Sequence, residues 1–181
     1  MINLLKKLCF EQKYICIYTN YSDVSKFIYG KLLFVNDYHV VIYSISPFGK
    51  YDGIILKDVN DIFRIEIDGQ YATMMNYLIN DSELPLCNIQ IFNDDAVSSL
   101  IKFAAKELKI IAIELNKSGY NDIIGFVQNY NEYICEVKQV DSYGCIDGYS
   151  IIKIEDISQI SYDSIDEQHL FNLYLCRQSN S

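Results

Sequence analysis

Two stretches of sequence decide the fold: GKLLFVNDYHVVIYSISPFGKYDGIILKDVNDIFRIEID, residues 30–68, and GFVQNYNEYICEVKQVDSYGCIDGYSIIKIEDISQISYD, residues 125–163. They superpose without a gap at a displacement of 95 residues, and ten of the 39 positions are identical: Gly30/Gly125, Asn36/Asn131, Tyr38/Tyr133, Gly49/Gly144, Asp52/Asp147, Gly53/Gly148, Asp61/Asp156, Ile62/Ile157, Ile65/Ile160 and Asp68/Asp163. The shared residues are turn formers and core positions, so an internal duplication is expected, and it governs the rest of the reading.

Upstream the displacement becomes 96, and LLKKLCFEQKYICI from Leu4 aligns with LIKFAAKELKIIAI from Leu100. Each copy therefore opens with a helix. In the second, Leu100, Ile101, Ala104, Ala105 and Leu108 recur at helical spacing, with Asp94 or Asp95 placed to cap the N-terminus; the first lacks a comparable cap and is expected to fray. Beyond the helix, β-branched and aromatic runs predict five strands: Tyr14–Tyr18, Lys26–Val35, Tyr38–Ser46, Gly53–Lys57 and Asp61–Ile67. Asn36-Asp37 and Asn131-Glu132 are expected to make hairpin turns in which Asn tolerates positive φ. Gly49-x-x-Asp52-Gly53 and Gly144-x-x-Asp147-Gly148 make the next reversal, and Asp61 and Asp156 bond nearby backbone in a very short connection. Gly30 and Gly125, inside strand-like runs, predict a bulge or sharp bend. Short amphipathic helices are expected over residues 70–78 and 166–175, each packed on its own unit.

The fold class expected is mainly β (α+β): two tandem five-stranded antiparallel barrels, each preceded by an α-helix. The first spans residues 1–80, a linker with Pro85 spans 81–93, and the second spans 94–181.

Gly30-Lys-Leu with Asn36-Asp37-Tyr38-His-Val-Val-Ile resembles the first motif of the Sm-like family of SH3-like small barrels, and Val59-Asn-Asp-Ile62-Phe-Arg-Ile65 stands in the place of the second. The G-x-x-D-G turn followed by Asp-Ile also resembles a pattern in uncharacterised proteins of low-GC Gram-positive bacteria. The Sm-like resemblance implies ring or dimer assembly through fourth- and fifth-strand edges, and single-stranded RNA binding by loop residues. Two departures argue against RNA. No loop Asn follows the aromatic in YHVVI or YICEV, and the basic pair of the second motif is replaced by Arg64-Ile65 in one copy and Gln159 in the other.

The formal net charge is -9, from 15 Lys and Arg against 24 Asp and Glu. Residues 1–80 carry 8 basic and 8 acidic groups, and residues 81–181 carry 7 and 16, so the excess lies wholly in the second part. Such a field opposes DNA and non-specific nucleic-acid binding, and fits either a solvated face or a basic partner. No apolar run approaches the ~20 residues of a membrane span and no signal peptide is recognisable, so a cytoplasmic protein is expected.

Cys9, Cys16, Cys87, Cys135, Cys145 and Cys176 form no CxxC pair and no zinc spacing, and Cys16 and Cys135 read as buried thiols. The sequons at Asn20, Asn80 and Asn116 are chance matches in an Asn-rich chain. His39 and His169, the two histidines, do not recur at equivalent positions. No nucleophile elbow, phosphate loop, dinucleotide fingerprint or calcium loop appears, so no enzyme, metal or cofactor is expected, and Asp52, Asp61, Asp147 and Asp156 read as turn residues.

Of the sixteen tyrosines, Tyr38 and Tyr133 at matching hairpin shoulders are the candidate contacts for a ligand or RNA, with Lys57 and Arg64 as the supporting cations. The function expected is a non-catalytic binding or assembly module, acting on a protein partner or on itself through strand edges. A single-stranded RNA binder of the Sm-like kind is the second reading. A bacterial immunity or antitoxin-type protein, whose acidic half masks a basic toxin surface, is the third.

Overall fold

The computed structural model describes residues 1–179. The chain is mainly β with helices, and divides into two compact units, Met1–Asn88 and Ile89–Ser181. The segment 81–88, read from sequence as linker, belongs to the first.

In the first unit helix α1 (Ile2–Glu11) precedes strands β1 (Tyr14–Tyr18), β2 (Ile28–Val35), β3 (His39–Ile45), β4 (Tyr51–Asp58) and β5 (Arg64–Glu66), followed by helix α2 (Gln70–Met75). All neighbouring pairs are antiparallel, in the order β5-β1-β2-β3-β4. The second unit runs α3 (Ala96–Glu107), β6 (Ile110–Leu115), β7 (Ile123–Tyr130), β8 (Ile134–Val140), β9 (Ile146–Lys153), β10 (Ile157–Tyr162) and α4 (Ile165–Ser179). Its order is β10-β6-β7-β8-β9.

The registers correspond pair for pair. Gly30↔Ser44, Leu32↔Ile42 and Val35↔Val40 in one unit become Gly125↔Gln139, Val127↔Val137 and Tyr130↔Cys135 in the other. His39↔Asp58 and Ile45↔Tyr51 become Ile134↔Lys153 and Val140↔Ile146, and Ile17↔Ile65 becomes Ile113↔Ile160.

Side chains alternate across each strand, so one row faces the opening helix. In the first unit Leu5 and Leu8 of α1 pack on Ile15, Ile17, Leu32, Val40, Ile42, Val59 and Ile62. No side chain caps α1, but these two buried leucines anchor it. Helix α3 is capped by Asp95, whose Oδ1 accepts from the Ser98 N–H at 3.0 Å, and lies against β7 and β10 with Ala96, Val97, Leu100, Ile101 and Ala104 buried.

The opposite face of the first sheet is aromatic. Cys16, Tyr18, Tyr29, Tyr43 and Ile45 pack with Ala72 and Met75 of α2, and Ile79, Leu84 and Cys87 close over them. In the second unit Leu170, Phe171, Leu173 and Tyr174 of α4 cover Ile110, Phe126 and Val140.

Several local expectations need correction. Gly30 and Gly125 are not bulges. A Cβ at either would collide with a carbonyl oxygen, that of Tyr43 or of Lys138, so they allow close backbone approach; the register shift falls later, between Leu32 and Phe34 and between Val127 and Asn129. Neither Asn36 nor Asn131 takes a positive φ. Each instead closes its turn as an acceptor: Asn36 Oδ1 takes the N–H groups of Tyr38 and His39 at 2.9 and 2.6 Å, and Asn131 Oδ1 those of Tyr133 and Ile134 at 2.8 and 2.9 Å. The fifth strand begins at Arg64 because residues 59–61 form a 3-10 turn, capped by Asp58 Oδ1 on the Asn60 N–H at 2.8 Å. The glycine turns behave as expected, with φ of 72° and 78° at Gly49 and Gly53 and 78° and 82° at Gly144 and Gly148.

Candidate binding surface

Tyr38 and Tyr133 occupy the same place in their hairpins, both 70% exposed. Each carbonyl accepts the N–H that opens the last short connection, Tyr38 from Val59 at 2.8 Å and Tyr133 from Ile154 at 2.9 Å. Lys57 pairs with Val40 across β3–β4, one step from the His39↔Asp58 pair that adjoins Tyr38, so these two candidates share one end of the hairpin. Arg64 is engaged elsewhere: its guanidinium pairs with Glu66 and lies 4.4 Å from the centroid of the Tyr18 ring. That ring is buried, its hydroxyl donates to Glu66 Oε2 at 2.7 Å, and burial pushes its pKa up to about 12. Tyr133 lies in the second unit.

The second unit carries a surface that sequence reasoning missed. On β8–β9 the pairs Cys135↔Ile152 and Val137↔Ser150 face inward, so the intervening pairs Ile134↔Lys153, Glu136↔Ile151 and Lys138↔Tyr149 face outward. Tyr149 and Ile151 are 60% and 68% exposed, whereas their counterparts Ile54 and Leu56 on β4 are 2% and 0% exposed. Ile134 extends this row at one end, and the exposed Tyr133 precedes it in the turn. The polar groups on it are partly engaged: Glu136 Oε2 accepts from Asn129 Nδ2 at 2.7 Å, and Lys153 pairs with Glu155 at 3.2 Å. The sequence did hold a signal for this surface. Ile151 and Ile152 are adjacent apolar residues in a strand, where only one can face the core.

No group of three or more metal-ligating side chains occurs among the described residues. His39 opens β3 and His169 is exposed on α4. Cys16 and Cys135 are buried, and desolvation raises both thiols to about 11, which keeps them protonated and unreactive. No described helix is long and apolar enough to cross a membrane.

No protein-family model matches the chain, and no curated protein does. Among solved structures it is similar to K. pneumonia MrkH in its apo state at 11% identity and a TM-score of 0.21, over 99% of this chain and 95% of that one. A likeness at that score bears on neither fold nor function.

Proposed function

We propose that the chain is a tandem duplication of one Sm-like or SH3-like five-stranded barrel, and that it works as a non-catalytic protein-binding module whose contact surface is the β8–β9 hairpin. The pair-for-pair repetition of register at 95 residues supports the duplication. The functional reading rests on one observation: Tyr149 and Ile151, on the outward row of β8–β9, are large apolar side chains held open to solvent on a strand. Aromatic and aliphatic side chains held on a rigid strand lose little freedom on binding and supply most of the contact energy of protein interfaces. RNA has weaker support, since the guanidinium of Arg64 already faces Glu66 and Tyr18.

The test compares the wild-type chain with a Tyr149→Lys, Ile151→Lys variant in two assays, light scattering over a concentration series and capture of proteins from lysate. Self-association or captured proteins that disappear in the variant are expected. A monomeric wild type whose captured proteins match those of the variant would overturn the reading.

A further inference from the structure

We infer that β9 accepts an extended, lysine- or arginine-rich segment of a partner protein as an added strand. The inference rests on the reading of β8–β9 as a contact surface and goes further by naming the chemistry of the occupant. Strand β9 has eight residues and, among the described residues, is paired on one side only, with β8. A strand paired on one side directs alternate N–H and C=O groups at solvent, and proteins ordinarily blunt such an edge by shortening it or by placing proline or several lysines on it. Here the regular run from Tyr149 to Lys153 has no proline and a single lysine, at its end. An added strand would gain the backbone bonds along this edge, and its alternate side chains would lie beside Tyr149 and Ile151 on the outward row.

Charge selects the occupant. Residues 132–156 carry six acidic groups, Glu132, Glu136, Asp141, Asp147, Glu155 and Asp156, against two basic ones, Lys138 and Lys153, and Lys153 is paired with Glu155. The equivalent span 37–61 carries four acidic groups, Asp37, Asp52, Asp58 and Asp61, against Lys50 and Lys57. The hairpin with the open apolar row is thus the more acidic of the two. An excess of carboxylates on the hairpin favours cationic side chains on an incoming strand, the attraction acting over a screening length of about 8 Å. A second copy of this chain is a poor occupant by the same argument, because each copy carries a net charge of -9.

The experiment uses the full chain and a fluorescein-labelled peptide of about nine residues that alternates lysine or arginine with valine. Two controls accompany it: glutamate in place of every cation, and N-methylation of alternate backbone amides, which removes strand pairing and keeps charge and apolarity. Fluorescence anisotropy is expected to show binding that weakens by about ten-fold or more with either control and with Tyr149→Lys, Ile151→Lys. Amide exchange at residues 149–153 should slow in the complex. Absence of binding, equal binding of either control, or protection elsewhere overturns the inference. So does a homodimer that protects residues 149–153, since a second copy would then be the occupant. The broader reading of the surface fails separately, when the double variant changes neither self-association nor capture.

Discussion

The phenol of Tyr14 on β1 donates to Asp81 Oδ1 at 2.6 Å, and Lys31 Nζ reaches the same oxygen at 3.3 Å while lying 4.1 Å from the centroid of the Tyr14 ring. With the Tyr43 hydroxyl donating to the Pro85 carbonyl at 2.9 Å, these bonds fasten the segment 79–88 onto the aromatic face of the first unit. Removing the carboxylate with Asp81→Ala should cost about 1 kcal/mol, the worth of one exposed charge-assisted hydrogen bond, measured by urea unfolding, with faster amide exchange confined to this segment. The hydrogen bond from Tyr14, and then Lys31, holds the Asp81 carboxyl below its ordinary value. A depressed pKa stabilises the fold above the unfolded-state value and loses that contribution as pH falls through the folded value, so the wild type and Asp81→Ala should converge in stability in acid.

Gly30→Ala and Gly125→Ala should each cost more than about 3 kcal/mol, because a Cβ there meets a backbone carbonyl that has no room to retreat. Gly148→Ala is the contrast. At that position φ is 82° and the space around a Cβ is open, so only the backbone preference is lost, about 1 kcal/mol. Equilibrium denaturation of the three variants checks the order.

Tyr29 is buried, stacked on Tyr14 with centroids 5.8 Å apart and edge-on to Tyr71 at 5.3 Å, and its hydroxyl has no hydrogen-bond partner among the described residues. Tyr29→Phe keeps the ring contacts and removes an unpaired buried polar atom, so stability should rise by about 1 kcal/mol. The buried Ser46 hydroxyl is in the same position, and Ser46→Ala should be neutral or stabilising. A fall in the melting temperature of Tyr29→Phe would mean that the hydroxyl is satisfied in solution.

Glu167 is buried at the start of α4, where its carboxylate accepts from the Ser164 N–H at 2.7 Å and from the Ser161 hydroxyl at 3.0 Å. Desolvation outweighs these bonds and raises its pKa. For an acid with a raised folded pKa, the unfolded chain ionises first as pH rises, so stability declines from the ordinary glutamate value up to the folded one and is level above it. Glu167→Gln should remove that decline. The difference between wild-type and variant melting temperatures, followed from pH 4 to 7, measures it.

Much of the architecture was legible because two stretches that align at a displacement of 95 residues give each turn and strand two readings. Strands β2, β3, β7 and β8 and the Gly49 and Gly144 turns follow from alternation and from positive-φ glycines repeated at a fixed displacement. What could not be read was the mechanism behind a repeated residue. Asn at a hairpin serves equally through its backbone angle or its side-chain oxygen, and Gly in a strand fits both a bulge and a close crossing, so composition left the choice to tertiary geometry. The candidate surface was half legible. Tyr38 and Tyr133 stand out as repeated aromatics, but Tyr149 and Ile151 matter because they differ from Ile54 and Leu56, and a search for sameness passes over such positions. Arg64 looked like a free cation because its partners, Glu66 two residues on and Tyr18 on the paired strand, emerge only once β1 and β5 are in register.

The matched registers also separate two duties within each strand. Inward side chains hold the frame in both units, and the outward rows differ: Val41, Ile54 and Leu56 are buried, whereas Tyr149 and Ile151 are open. Glu136, Tyr149 and Ile151 stand at the ladder positions that Val41, Ile54 and Leu56 hold in the other hairpin. A frame set by its inward row leaves the outward row of β8–β9 as the place where specificity can be written.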